Sequence, residues 1–200
     1  MKSLTYLTFL LFGVLSELAG VCAACHGADG NSAAANFPKL AGLGEKYLYE
    51  QLKDIQSDAR KIPEMAGQLN GKSDQDLKDM AAFYASQNIQ LSGASALEVQ
   101  VNSGEKVDGL KLGKNLYRGG NPEMGVPACT GCHSPRGLGN APAGYPRLGG
   151  QHAAYIEKQL EDFRAGNRTT DGEAMTMRAI SRGLSDAEIK ALAAYIAGLN

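Results

Sequence analysis

The 200-residue chain has no tryptophan, and its five phenylalanines and eight tyrosines bring aromatic residues to only 6%. Large aromatic side chains usually supply much of a core's buried area. A chain this poor in them needs something else to fill its interior. Histidine is scarce too, at three residues, and cysteine stops at four. A formal net charge of −1 offers no basic excess for nucleic-acid binding. The one long apolar run, from Leu4 to Leu15, is about a dozen residues, short of the roughly twenty that a membrane-spanning helix needs.

The few cysteines and histidines are concentrated. All four cysteines and two of the three histidines fall in Cys22-Ala23-Ala24-Cys25-His26 and Cys129-Thr130-Gly131-Cys132-His133. C-x-x-C-H is the attachment pattern of haem c. Thiols at i and i+3 lie on one face of a helical turn, where they can form thioethers to the two vinyl groups. The following histidine then meets the iron. A shared four-cysteine zinc site would need the pairs within about 15–20 residues of each other, whereas here about a hundred separate them. A thioredoxin-like site needs a βαβ setting, and no strand-like alternation surrounds either pair. Disulfides across such short spacings close tiny loops and stabilise little. Two covalent haem c groups are therefore expected, held by Cys22, Cys25, Cys129 and Cys132, and they would also fill the aromatic-poor cores.

The two motifs anchor an internal repeat. Cys22, Cys25 and His26 map onto Cys129, Cys132 and His133 at an offset of 107. Tyr47, Leu48, Gln51, Leu52 and Asp54 map onto Tyr155, Ile156, Gln159, Leu160 and Asp162 at 108. Met65, Ser73 and Asp74 match Met177, Ser185 and Asp186 at 112. Each copy reads as helical. Leu48, Leu52 and Ile55, like Ile156, Leu160 and Phe163, recur at i, i+4 and i+7. Capping signatures at Ser73–Asp76 and Ser185–Glu188 open the last helix of each copy. Buried stripes follow at Leu77, Met80, Ala81 and Tyr84, and at Ile189, Leu192, Ala193 and Ile196. The expected organisation is an export segment or anchor over 1–20, one domain over 21–90, an aperiodic linker over 91–109 and a second domain over 110–200. The second domain has its own leading helix around Leu112–Tyr117, whose counterpart in the first overlaps the apolar N-terminus.

Each iron needs a sixth ligand or an open position. The remaining histidine, His152, aligns with Gly44, so it cannot serve both copies and reads as a local hydrogen-bonding residue. Met65 and Met177 each stand eight residues before a capping serine, on segments expected to be loops over the haem. The repeat register selects Met177 over its neighbour Met175, while Met80 and Met124 read as packing or surface residues. Histidine paired with methionine raises the reduction potential, and with both axial positions filled the site is suited to electron transfer.

The N-terminus, with Lys2 ahead of the apolar run, resembles an export signal but shows no clean cleavage site. Haem c is attached outside the cytoplasm, so a periplasmic location is expected, soluble or N-terminally anchored.

These residues together resemble the dihaem cytochrome c4 family. The likeness runs from Cys22 to Asn200, through Asn36-Phe37-Pro38-Lys39-Leu40-Ala41-Gly42, Leu148-Gly149-Gly150-Gln151-His152 and Asp162-Phe163-Arg164-Ala165-Gly166-Asn167-Arg168-Thr169. It implies an all-α fold of two tandem class I cytochrome c domains, each wrapped around a covalently bound haem, with the haems close across the interface. It implies His26/Met65 and His133/Met177 ligation, with the carbonyls of Pro38 and Pro146 bonded to the proximal histidines. It also implies a carrier between a quinol-oxidising complex and a terminal oxidase. The short N-terminus departs from the family by lacking room for its usual leading helix.

Residues 22–90 carry seven Lys/Arg against nine Asp/Glu, and residues 96–200 carry twelve against eleven. Seven of the eight arginines lie in the second half. They read mainly as a solvated face, with Arg147 a candidate partner for a haem carboxylate. The halves thus offer different charge to different partners. Two rivals remain: a haem subunit of a larger dehydrogenase, and a dihaem peroxidase, which would need an open or bis-histidine haem that three histidines hardly supply.

Overall fold

A computed structural model describes residues 20–200. The expected export segment lies outside the described residues except for its last position. Eight helices are described: α1 (20–26), α2 (Glu45–Gln56), α3 (Asp74–Ala85), α4 (Gly109–Gly119), α5 (Thr130–His133), α6 (Ala153–Ala165), α7 (Thr176–Arg182) and α8 (Asp186–Ala197). Among the described residues no helix is long and apolar enough to cross a membrane.

The last helix of each copy begins as its sequence requires. Ser73 Oγ accepts from the Asp76 amide at 3.2 Å while Asp76 Oδ2 accepts from the Ser73 amide at 2.8 Å. Ser185 and Glu188 repeat this at 3.3 and 2.8 Å. Such a box satisfies two amide donors that the first helical turn leaves without intrahelical partners. The expected stripes on α3 and α8 are buried. In the second half α8 packs on α4 and α6, and in the first α3 packs on α2. Gly113 sets how closely α4 meets α8: a Cβ there would stand 2.1 Å from the Ala191 carbonyl oxygen.

The stretch 91–109 is more ordered than its composition suggests. Strands β1 (Glu98–Gln100) and β2 (Lys106–Asp108) form an antiparallel hairpin, with Val99 opposite Val107. Val99 is buried, and β1 lies against α8. Strands of three residues are too short to show alternation, which is why the segment reads as a plain linker.

The two halves are joined by buried polar contacts. The Gln151 side-chain amide pairs with the backbone of Lys39 through both of its atoms, at 2.9 and 2.8 Å. His152 is not local, contrary to expectation. Its Nε2 donates to the Ser32 carbonyl at 2.9 Å, and its Nδ1 accepts from Ser92 Oγ at 3.0 Å. It therefore ties the second half to the first and to the connecting segment.

Candidate functional site

In both copies the same local geometry presents a histidine. His26 ends α1, and its Nδ1 donates to the Pro38 carbonyl at 2.8 Å. His133 ends α5, and its Nδ1 donates to the Pro146 carbonyl at 3.0 Å. A carbonyl only accepts, so the proton sits on Nδ1 and Nε2 keeps its lone pair. Burial holds both imidazoles below their ordinary pKa, against the opposing pull of the proline carbonyls. Each ring is therefore neutral at pH 7, oriented, and able to bind a metal through Nε2.

A glycine turn brings each proline there. The Gly30 carbonyl accepts from Leu40 and Ala41 amides at 2.7 and 3.2 Å, and the Gly137 carbonyl from Leu148 and Gly149 at 2.8 and 2.9 Å. Both glycines have positive φ, 76° and 67°, and a Cβ on either would lie 2.8 Å from a backbone nitrogen. Only glycine fits such a position. An aromatic edge steadies each imidazole, Phe37 at 6.1 Å from His26 and Tyr145 at 6.2 Å from His133. The glycines repeat at an offset of 107, the same register as the cysteines, a signal that the motifs themselves overshadow.

Cys22, Cys25, His26 and Met65 line one cavity of about 420 Å³. Met65 closes a short 3-10 turn, Pro63–Met65. In the second copy Cys129, Leu148 and Met177 pack against a single apolar cluster built on Leu160, Leu184 and Leu192. Met177 lies in the first turn of α7, where a loop was expected, because Met175 adopts a left-handed conformation and starts that helix. Met175 itself is 51% exposed and Met124 59%, whereas Met80 is buried at 2%. Burial pushes the Cys22 thiol up, and pushes Cys129 up to about 11. Such thiols are protonated at neutral pH. Among the described residues no three His, Cys, Asp or Glu side chains are grouped so as to hold a bare metal ion.

Of the seven second-half arginines, Arg118, Arg136 and Arg182 are exposed, and Arg168 alone is buried, departing from the expected solvated face. Arg168 is only 7% exposed and Arg60 8%. The two lie in a network that follows the repeat. Arg60 donates to Gln51 at 2.7 Å within its own half, and to Tyr155 and Gln159 of the other half at 3.1 and 2.8 Å. Arg168 donates to Gln159 at 2.8 Å, and across to Tyr47 and Gln51 at 3.2 and 2.8 Å. This is a pseudo-two-fold interface in which equivalent residues exchange contacts. Arg147, the expected carboxylate partner, donates through Nε to the Gly149 carbonyl at 3.0 Å.

The residues fit haem c. Two thiols and an imidazole with a free Nε2 face an apolar-walled cavity, and the buried Arg168 Nε there lacks an acceptor. The cytochrome c family model matches residues 16–88 and again 110–200. Cytochrome c4 of Stutzerimonas stutzeri is 51% identical over 189 residues, covering 90% of this chain and 85% of that protein. The chain belongs to the cytochrome c4 family. The crystal structure of reduced cytochrome c4 from Pseudomonas stutzeri superposes with a TM-score of 0.86 at 49% identity, covering 94% of this chain and 98% of that one. Another Stutzerimonas stutzeri relative, named a thiosulfate dehydrogenase electron acceptor, is 36% identical over 94% of this chain and 82% of its own length. The fold is thus two tandem class I cytochrome c domains. Like other members of the cytochrome c4 family, this chain is an electron-transfer protein and not an enzyme.

Proposed function

We propose that the chain is a periplasmic dihaem carrier, taking electrons from a quinol-oxidising complex and passing them to a terminal oxidase. Haem c, when bound, supplies a one-electron iron couple. The protein's part is to fix and tune it. Cys22 and Cys25, and Cys129 and Cys132, hold the two groups covalently. Nε2 of His26 and of His133 would bind the two irons, with the rings aimed by the Pro38 and Pro146 carbonyls. The thioethers of Met65 and Met177 would supply the second protein ligand to each iron, and a histidine–methionine pair raises the potential. The observation that carries this reading is the duplicated histidine-to-proline bond, which presents a neutral Nε2 in each copy. Donor and acceptor would dock weakly through small surfaces, separated by the different charge of the halves.

A second reading rests on the relative named as a thiosulfate dehydrogenase electron acceptor: the chain would serve a dehydrogenase as its haem partner. Co-purification with such an enzyme, in place of a free monomer, favours it. The ligand set is tested on protein matured in a host that attaches haem c. Mass should show two haems per chain, and the weak near-infrared sulfur-to-iron band should report methionine ligation. Met177→Ala should remove that band from one haem, and Met175→Ala should leave it intact. Equal retention in both variants rejects the Met177 assignment.

A further inference from the structure

The cavity beside Cys22 and His26 is completed by the other half of the molecule: Tyr155, Lys158, Gln159, Asp162 and Arg168 form part of its wall. Arg168 has unmet capacity there. The residue is only 7% exposed, and its Nε–H has no acceptor, while the two terminal nitrogens are engaged by Gln159, Tyr47 and Gln51. The Phe163 ring covers the guanidinium at 4.5 Å from the ring centre. All these partners are uncharged. Among the described residues no carboxylate forms an ion pair with Arg168 or with Arg60 beside it. The Asp54 carboxylate attracts both from outside ion-pair distance, and burying guanidiniums with no directly bonded anion is unfavourable. The field they create is already visible at Tyr47: burial raises its phenol, but Arg168 and Arg60 outweigh that and hold it below its ordinary pKa.

We propose that Arg168, carried by the second domain, binds a carboxylate of the haem held by the first domain. Its unpartnered Nε–H and its charge make a charge-assisted site for a carboxylate, reached across the interface. The inference rests on haem c occupying the cavity, as proposed above. A haem carboxylate supplies an anion in direct contact with Arg168, which no carboxylate of the described residues does. Two consequences follow: the second domain tunes the first domain's haem directly, and the two glutamines that grip both arginines tie this tuning to the way the domains dock.

The test uses full-length holoprotein with no redox partner. Haem methyl resonances in the oxidised protein, separate for each haem, follow the two potentials individually, and substitution of Met65 assigns those of the first domain. A nearby cation favours the reduced iron, so Arg168→Gln should shift the first-domain haem toward the oxidised form. The expected change is about tenfold in the reduction equilibrium, or about 59 mV for one electron. The pH at which that potential bends, set by the haem carboxylate, should rise. Arg168→Lys keeps the cation and loses the planar fork, so it should give a smaller shift of the same sign and carries the test if Arg168→Gln does not mature. Two haems per chain with the first-domain haem unmoved, or with only the second-domain haem displaced, overturns the proposal. Fewer than two haems in the unsubstituted protein overturns instead the haem assignment beneath it.

Discussion

The two methionine-bearing segments start alike and end differently. After α2 the Arg60 amide donates to the Asp54 carbonyl at 2.9 Å, and after α6 the Arg168 amide donates to the Asp162 carbonyl at 3.1 Å. Beyond that turn the second copy has four more residues, since the repeat offset grows from 108 to 112. Those residues bring Asp171, whose side chain is 2% exposed and accepts from the Arg178 amide and Nε at 2.9 and 2.7 Å. Arg178 also donates to the Thr169 carbonyl at 3.2 Å, and the segment winds into α7. The first copy has only short turns, with Gln56 donating to the Leu69 and Lys72 carbonyls at 3.1 and 2.9 Å. Beneath it lies a cleft of about 340 Å³. The two methionines proposed as iron ligands are thus mounted on supports of different stiffness. Segments with few buried anchors open first, so Met65 should leave its iron at lower denaturant than Met177.

The strongest way to break this comparison is to remove the anchor. Asp171→Ala leaves Arg178 unpaired and takes away much of the support of α7. Losing one partner of a buried pair costs about 3 kcal/mol or more. The expected result is loss of the near-infrared methionine band from the second haem at or below the denaturant concentration that affects the first. If both bands keep their order and the unfolding midpoint is unchanged, Asp171 is not what separates the segments.

A smaller effect asks whether the second half owes its rigidity to helix packing as well. Gly113→Ala drives a methyl into the Ala191 carbonyl, and overpacking of this kind costs about 1–3 kcal/mol. At Gly119, at the end of the same helix, an added methyl would meet nothing within 4 Å. Gly119→Ala should be neutral or slightly stabilising, following helix propensity. Thermal unfolding of both variants checks this. Equal effects would mean that α4 and α8 can separate without harm.

What could be read from the chain, and what could not, divides along range. The C-x-x-C-H motifs, the capping boxes at Ser73 and Ser185, the stripes on α3 and α8 and the span of α4 are local patterns, and local rules describe them. The choice of Met177 over Met175 also rests on register; in the structure Met175 is exposed and Met177 packs on the apolar cluster. The contacts of Arg60, Arg168 and His152 have no such signature. Their partners in the opposite half lie 95 to 121 residues away along the chain. A buried arginine looks like any other arginine until that half is in place. The repeat did hold one clue: Tyr47, Gln51 and Arg60 recur as Tyr155, Gln159 and Arg168, polar residues that a solvated surface gives no reason to duplicate.

The capping boxes supply the finest comparison, because here the halves should agree. Ser73→Ala and Ser185→Ala each remove one hydroxyl acceptor from equivalent geometry, and each should cost about 1 kcal/mol. A clear inequality would show that one half tolerates fraying of its last helix. Acid sharpens the point for α3. The Ser73 amide, and then its hydroxyl, hold the Asp76 carboxyl below its ordinary value of 3.8. A carboxylate depressed on folding adds stability that is complete above the unfolded pKa and disappears as pH falls through the folded one. The Asp76 contribution is therefore full at neutral pH and fades below about pH 4. Asp76→Asn should weaken the protein at pH 7 and make it less sensitive to acid over that lower range. Unfolding curves for the variant and its parent, converging as the pH drops, are the expected outcome. Parallel curves at every pH would place the stabilisation in the neutral hydrogen bond alone.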